Sequence, residues 1–314
     1  MIAALAFVLA ALAGFAAQRG TICAVAAVKD LVLKRDTRRY GAFLECALWS
    51  LAAAGALDLV GVRSGAAEFP ATGLAVAGGA LFGAGAVING ACAFGSAARL
   101  ARGDLSFLFM PAGFLAGAYA LSHGVAAPAP SAAPALQSPI VATLLVLFVG
   151  WRLFGAADRV RSVRAARDHL TATSWDPVFA MAVIGVSSGA LMALYAPWPY
   201  STLLIDIAAG SGTMDQAKKI GLALMFVAGA GLAARTAGAF RVRAPGLRAA
   251  AEKFAGGALM GGGAYLVPGG NDALVLGALP HLFLYGFIAY AAMTAMIAAF
   301  VLVEARLTPA LRRA

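Results

Sequence analysis

Nine apolar stretches divide the chain, and each approaches or exceeds the length that a helix needs to cross a membrane. They lie near residues 2–17, 40–61, 70–98, 107–124, 139–155, 177–195, 214–234, 254–280 and 282–303. About 20 apolar residues in helical form span the hydrocarbon core, where unpaired backbone groups are too costly for open structures. Hydrophobic residues make up 62% and charged residues 12% of the chain, whereas soluble domains average about 45–50% and about 25%. We therefore predict an all-α polytopic membrane protein with about nine transmembrane helices.

Two further apolar segments are too short or too isolated to cross and too apolar for ordinary loops. They lie near residues 20–33 and 200–211, and we interpret both as re-entrant half-helices. The first stretch, residues 2–17, lacks the cationic residues that precede the apolar part of a signal peptide. It is therefore expected to remain as the first membrane helix.

Most cationic residues fall in five loops that this prediction places on one side of the membrane. They are Lys29, Lys34, Arg35, Arg38 and Arg39; Arg99 and Arg102; Arg152, Arg159, Arg161, Arg164 and Arg167; Arg235, Arg241, Arg243 and Arg248; and Arg306, Arg312 and Arg313. Cationic loops face the cytoplasm, so we predict that the N-terminus lies outside and the C-terminus lies inside, in the cytoplasm. Lys218 and Lys219 are exceptions near the outer surface. No basic run is interleaved with aromatic residues, so no nucleic-acid partner is expected.

A glycine-rich segment occurs twice. Residues 78–86, Gly-Gly-Ala-Leu-Phe-Gly-Ala-Gly-Ala, match residues 256–264, Gly-Gly-Ala-Leu-Met-Gly-Gly-Gly-Ala, at seven of nine positions. Abundant Gly and Ala make chance similarity the alternative. Because the two copies are predicted to run in opposite directions, we predict two inverted-topology repeats, residues 1–128 and 171–314, joined by a linker helix and basic loop at 129–170. Such repeats place a binding site near the midplane, where broken helices meet.

Each glycine-rich copy is followed by residues that interrupt a helix. The first break is residues 88–95 with Asn89 and Gly90, and the second is residues 267–272 with Gly270, Asn271 and Asp272. Glycine and proline disfavour a continuous helix, whereas Asn and Asp cap a helix that restarts. A restarting helix offers unpaired N–H groups and a positive dipole end to an anion. The alternative is that the glycines only allow close helix packing.

Polar residues elsewhere in the predicted spans are assigned mainly structural roles. Glu45 is expected to extend to the cytoplasmic interface or to pair with Arg38 or Arg39, and Asp206 is expected to face the protein interior. The segment at 197–202 has helix-stop and then helix-start chemistry, with Ser201 as the expected cap. Ser201 is included among the candidate path residues because this segment is the symmetry counterpart of residues 18–23.

The three cysteines differ in their predicted roles. Cys23 lies in the first predicted half-helix and Cys92 in the first break, which favours a functional interpretation, although a buried cysteine alone is usually a small apolar residue. Cys46 lies in an ordinary span and is interpreted as such a residue. The histidines, at positions 123, 169 and 281, show no metal-ligand spacing with the cysteines, so neither a metal nor another cofactor is expected.

Two segments resemble a known family. Gln-Arg-Gly-Thr-Ile-Cys at 18–23, followed by Lys29 and Asp30, and Gly-Ala-Cys-Ala-Phe-Gly at 90–95 are similar to the two signatures of the YeeE/YedE sulfur-transport family. The resemblance implies a bacterial inner-membrane permease that passes thiosulfate along a central path containing Cys23 and Cys92. Family members also carry a cysteine in the second break, where this chain has Gly270 beside Asn271 and Asp272.

The expected partners are a small sulfur-containing anion and membrane lipid, with a cytoplasmic sulfur-carrier protein as a further candidate. Two other functions stay open. One is a channel or transporter for another small solute, with incidental cysteines. The other is a membrane-embedded sulfur-transfer enzyme with a persulfide on Cys92 or Cys23, which would need an activated thiolate. Uptake of a labelled sulfur compound distinguishes these functions.

Overall fold

The computed structural model describes residues 2–62, 67–132, 139–157, 168, 170–195, 198–210 and 216–307, and it is almost entirely helical in these ranges. In chain order the helices are α1 (Ile2–Arg19), α2 (Ala24–Lys29, continued by a π-helical turn Asp30–Lys34), α3 (Arg38–Asp58), α4 (Gly73–Asn89), α5 (Ala93–Ala101), a 3-10 turn (Leu105–Leu108), α6 (Phe109–Ser122), α7 (Pro139–Ala157), α8 (Pro177–Tyr195), α9 (Tyr200–Ala209), α10 (Gln216–Thr236), α11 (Leu247–Leu266), α12 (Asn271–Ala273, continued by a π-helical turn Leu274–Ala278) and α13 (Leu284–Leu307). One small antiparallel sheet pairs β1 (Ala67–Glu68) with β2 (Ser131–Ala132).

Seven helical segments of the described ranges are long and apolar enough to cross a membrane. They are Ile2–Lys34, Arg38–Asp58, Gly73–Ala101, Leu105–Ser122, Pro177–Ala209, Gln216–Thr236 and Leu284–Leu307. Two further helices, α7 with 19 residues and α11 with 20 residues, occupy the other two predicted spans but are not among these seven. The class of multi-pass helical membrane protein is confirmed, and the count of nine crossings stays a prediction.

The two glycine-rich segments pack directly against each other. A Cβ atom on Gly78 would lie 2.7 Å from the carbonyl oxygen of Gly263, and a Cβ atom on Gly85 would lie 2.6 Å from that of Gly256. Because the start of one segment meets the end of the other, α4 and α11 cross antiparallel. The glycines therefore allow close approach of the two backbones, which is the role that the alternative interpretation gave them. The same two helices are also interrupted.

Helix contacts in the first part of the chain have counterparts in the second. Helix α1 packs against α10, and α3 packs against α8; likewise α4 packs against α13, and α6 packs against α11. On α4, Gly83 lies against the backbone of Met293 in α13, while Gly261 of α11 lies against the backbone of Phe114 in α6. These matched contacts surround the crossing of α4 and α11.

Both predicted breaks are present. Helix α4 ends at Asn89, Gly90 follows with φ +76°, and Cys92 is extended before α5. Helix α11 ends at Leu266, Pro268 and Gly269 have φ values of +25° and +148°, and Gly270 is extended before α12. Positive φ is cheap for glycine, which favours the turns at Gly90 and Gly269, and Pro268 has no N–H to donate to a helix, so local sequence favours both interruptions.

The two predicted half-helices are also short helices in the structure. The first predicted segment, residues 20–33, contains α2 and most of its π-helical turn, while the second, residues 200–211, contains α9. Helix α8 precedes α9 and begins at Pro177, with the Asp176 carboxylate accepting the Val178 N–H at 2.8 Å.

Several basic loops meet at one end of the helices, which we call the basic face. The Arg38 guanidinium pairs with Asp176, and Arg241 N–H donates to the Arg102 carbonyl at 2.9 Å. Leu105 N–H donates to the Arg243 carbonyl at 3.2 Å, which adds a second link between the same two loops. Other predicted basic residues lie outside the described residues: Arg159, Arg161, Arg164, Arg167, Arg312 and Arg313.

One prediction for a charged residue needs correction. Glu45 pairs with Arg152 of α7 at 2.8 Å, and neither Arg38 nor Arg39 is its partner. That partner lies on a distant helix, which local spacing does not identify. Lys219 is 2% exposed and its ammonium pairs with Asp206 of the preceding helix, as a buried charge requires, while its place near the outer surface stays a prediction.

Candidate transport site

Four short helices begin at one place, which we call the central junction: the N-termini of α2, α5, α9 and α12. Ala24 N–H of α2 donates to Cys92 Sγ at 3.1 Å, and Ala93 N–H of α5 donates to Asn271 Oδ1 at 3.1 Å. The Ser201 N–H of α9 donates to Asp272 Oδ2 at 3.3 Å. The N-termini of α2, α5 and α9 are therefore each held by a side chain from one of the two breaks, and Gly270 N–H before α12 donates to Ser201 Oγ of α9. Four positive dipole ends converge on one buried region.

Cys23 and Cys92 lie next to each other in this junction. Both are buried, their thiol groups interact, and each occupies the position before a helix, Cys23 before α2 and Cys92 before α5. A Cβ atom on Gly95 would lie 2.9 Å from Cys23 Sγ, so the absent side chain leaves room for that thiol. The fold therefore brings Cys23 and Cys92 together, which their spacing in the sequence could not establish.

Cys46 occupies a different environment. It is fully buried in α3, and its carbonyl oxygen lies where α8 approaches closely at Gly185. Its place is a helix interface, which fits the interpretation of a small apolar residue. Each of the three cysteines is a free thiol.

Asn89 and Gly90 shape the first break. Asn89 Nδ2 donates to the Ala91 carbonyl at 2.6 Å and to Ser96 Oγ at 2.8 Å, which joins the end of α4 to the first turn of α5. Gly90 supplies the left-handed residue between them. The two predicted path residues therefore set the position of Cys92.

Ser201 and Asp272 close the second break, in a way that corrects their predicted roles. Ser201 Oγ donates to Asp272 Oδ1 at 2.5 Å and accepts the Gly270 N–H at 3.0 Å. The residue before α9 is Pro199, so Ser201 is the second residue of its helix and does not cap it. The Asp272 carboxylate instead serves the first turn of α9, a neighbouring helix, as an acceptor.

Asn271 holds an unpaired donor inside the junction. Its Oδ1 is fixed by the Ala93 N–H, while Nδ2 has no hydrogen-bond partner among the described residues and the side chain is fully buried. The nearby Trp198 Nε1 is likewise buried without a partner in the described ranges. An unsatisfied buried donor costs about 1–3 kcal/mol, so these two N–H groups favour a ligand that accepts hydrogen bonds.

A cavity of about 490 Å³ adjoins the second break. Its walls include Pro199, Pro268 and Ala273 near the junction and the Lys219–Asp206 pair farther along. Phe69, which stacks edge-on against Tyr285, also lines it. Since neither cysteine is among the lining residues, the cavity ends before the thiols, and the junction is closed from this side.

Sequence reasoning missed three residues of the site. Tyr200 donates from its hydroxyl to the Ala93 carbonyl at 3.0 Å, Gly95 faces Cys23, and Lys219 lines the cavity. Tyr200 lies inside the 197–202 segment, where the sequence predicts a helix stop and start, so its region was identified although the residue was not. Gly95 had no signal in the sequence, because its role depends on a contact between two helices far apart in the chain, and Lys219 was noted only for its charge.

Comparison with known proteins identifies the family of this chain. A family model described as sulphur transport matches residues 19–299, a range that contains both breaks, both half-helices and the cavity. A search of curated proteins found no match. The match covers nearly the whole chain, including the four helix N-termini that form the junction. This membrane protein therefore belongs to the YeeE/YedE family of sulphur transport proteins.

Proposed function

We propose that this chain takes up thiosulfate, or a closely related sulfur-containing anion, across the bacterial inner membrane through the central junction. The observation that carries the proposal is the convergence of four helix N-termini on a buried pair of thiols. Helix N-termini favour an anion, and a thiol is a weak donor with a soft, polarizable sulfur. A small anion that has both oxygen atoms and a terminal sulfur can interact with the helix N-termini through its charge and with the thiols through its sulfur.

The proposed path contains Cys23, Cys92, Asn89, Gly90, Ser201, Gly270, Asn271 and Asp272. The unpaired Asn271 Nδ2 and Trp198 Nε1 offer N–H donors to the oxygen atoms of such an anion. Contacts of this kind are individually weak, which suits passage because an anion must leave the site as readily as it enters.

The paired helix contacts support two inverted repeats, residues 1–128 and 171–314, with residues 129–170 as the linker. Two observations support this division. Segments 78–86 and 256–264 cross antiparallel, and the packing of α4 against α13 corresponds to the packing of α11 against α6. Repeats of this kind allow alternating access around a fixed central site. Clustering of basic loops at the basic face supports an orientation with that face in the cytoplasm.

Labelled thiosulfate uptake into proteoliposomes tests the proposed function. We expect saturable uptake that unlabelled thiosulfate suppresses and that sulfate, which lacks the terminal sulfur, suppresses poorly. Liposomes without protein provide the background. Equal suppression by sulfate would overturn selectivity for a terminal sulfur, and absence of uptake at any concentration would overturn thiosulfate as the substrate. Because these liposomes hold no sulfur acceptor, accumulation of unmodified thiosulfate would also exclude obligatory sulfur transfer.

Asp272→Asn is expected to retain uptake with the same pH dependence, because both carboxylate oxygens of Asp272 are turned toward the Ser201 N–H and hydroxyl. Asn still presents an oxygen to the Ser201 N–H and an amide to Ser201 Oγ, so it preserves both contacts with Ser201 but cannot titrate. The measurement is uptake by wild type and variant over a series of pH values, with folding checked by gel filtration. Retained folding with lost pH dependence would make Asp272 a proton site instead.

A further inference from the structure

Two cationic side chains converge beside the first break. A Cβ atom on Gly90 would lie 3.6 Å from Lys253 Nζ and 3.7 Å from Arg99 Nη1, so both charges approach one point. Arg99 lies in α5 and Lys253 in α11, and these helices come from different halves of the chain. Gly90 lacks a side chain, which leaves a small space bounded by the two cations.

Both cations also lie near one aromatic ring. Arg99 Cζ is 5.5 Å and Lys253 Nζ is 5.1 Å from the ring centroid of Phe107, a residue that is itself buried. The negative face of an aromatic ring attracts cations, so Phe107 holds the two side chains together in spite of their like charge. The ring offsets only part of the repulsion between Arg99 and Lys253, whereas an anion bound between them would offset it more fully.

Two carboxylates act on Lys253 from nearby, those of Glu252 and Asp104. Glu252 pairs with Arg248 at 2.9 Å, and Asp104 Oδ1 accepts from Ser106 Oγ at 2.6 Å. Within the described ranges neither Arg99 nor Lys253 forms an ion pair. Two cations that meet at a gap and over a ring, without a carboxylate in ion-pair contact among the described residues, form an arrangement that suits a small oxyanion.

The position of this pair relates it to the junction. Helix α5 begins at Cys92, and Arg99 lies two turns farther along the same helix, toward Arg102, whose carbonyl bonds to the Arg241 N–H at the basic face. An anion that moves from Cys92 along α5 toward the basic face would therefore meet Arg99 and Lys253 next.

We infer that Arg99 and Lys253 form a second anion-binding site, which holds the transported sulfur oxyanion between the central junction and the basic face. This inference rests on the proposed function, since it assigns the same ligand to a second position. The site faces the opposite end of the path from the cavity at Lys219 and Asp206, so it governs binding from the basic face only.

Thiosulfate counterflow in proteoliposomes, measured separately from each face of uniformly oriented protein, tests this site. We expect Arg99→Gln or Lys253→Gln to raise KM from the basic face about five-fold, and both together about twenty-fold, with KM from the other face unchanged. Arg99→Lys and Lys253→Arg keep the charges and should stay within about two-fold of wild type. Arg248→Gln, which removes a neighbouring but paired cation, is the matched control.

The outcomes separate this site from the proposed function. Wild-type protein that carries thiosulfate, together with Gln variants whose KM is the same as wild type from both faces, would overturn the second site alone. Wild-type protein without thiosulfate counterflow would overturn the proposed function itself. A variant effect that occurs only in liposomes of anionic lipid, and disappears in zwitterionic lipid, would assign the two cations to a lipid headgroup and likewise overturn the site.

Discussion

Cys92→Ala is expected to reduce thiosulfate uptake about 100-fold, the largest effect of any single cysteine substitution in the chain. Alanine keeps the small volume but removes the sulfur that accepts the Ala24 N–H and contacts Cys23. The loss removes both a soft contact for the anion and the link that places the N-terminus of α2. Cys23→Ala is expected to weaken uptake to a smaller extent.

Two further variants make this prediction specific. Cys92→Ser retains a side-chain acceptor for the Ala24 N–H, so it keeps the link between helices while replacing the polarizable sulfur. Cys46→Ala changes a buried thiol in α3 outside the junction and should leave uptake close to wild type. Uptake is compared at equal amounts of folded protein. Wild-type uptake by Cys92→Ala under these conditions would rule out a role for its thiol in the path.

Asn271→Asp is expected to reduce uptake by a factor of about 100 or more, because it replaces the unpaired donor by an acceptor and adds negative charge. The Asp side chain has the same shape and still accepts the Ala93 N–H, so the link to α5 is preserved. A carboxylate about 4 Å from a monovalent anion repels it by about 4 kcal/mol at an effective dielectric constant of about 20, and a dianion by about twice that. The effect should therefore appear in transport more than in folding.

Gln216→Glu is the matched control for this variant. It makes the same amide-to-carboxylate change at an exposed residue, at the start of α10. Uptake by Gln216→Glu should stay close to that of wild type, with equal gel-filtration profiles for both variants. If Asn271→Asp transported as well as Gln216→Glu, the anion would not pass near Asn271, and the proposed path would be wrong at that position.

Interruptions of helices could be predicted from sequence because their causes are local. Gly90, after Asn89, and the Pro-Gly-Gly run at 268–270 disfavour a continuous helix at these positions, and the structure places a break at each. The resemblance of residues 18–23 and 90–95 to family signatures likewise depended on short motifs, and the family match confirms it. These features required no knowledge of which helices touch.

Partners across the fold could not be predicted in this way. Glu45 has two arginines within seven positions, yet its partner is Arg152. Ser201 lies two residues after a proline and has the chemistry of a helix cap, yet it bonds to Asp272 and Gly270 of the second break. In each case the energetic requirement to satisfy a buried polar group is clear from the sequence, but the helix that satisfies it depends on tertiary packing.

A structure of the protein with thiosulfate bound shows directly whether the anion occupies the central junction. We expect density for the anion there, in contact with Cys92 Sγ and within hydrogen-bond distance of Asn271 Nδ2, and loss of that density in Cys92→Ala. Thiosulfate bound only in the cavity beside Lys219, or between helices away from all four N-termini, with the junction empty, would contradict this expectation.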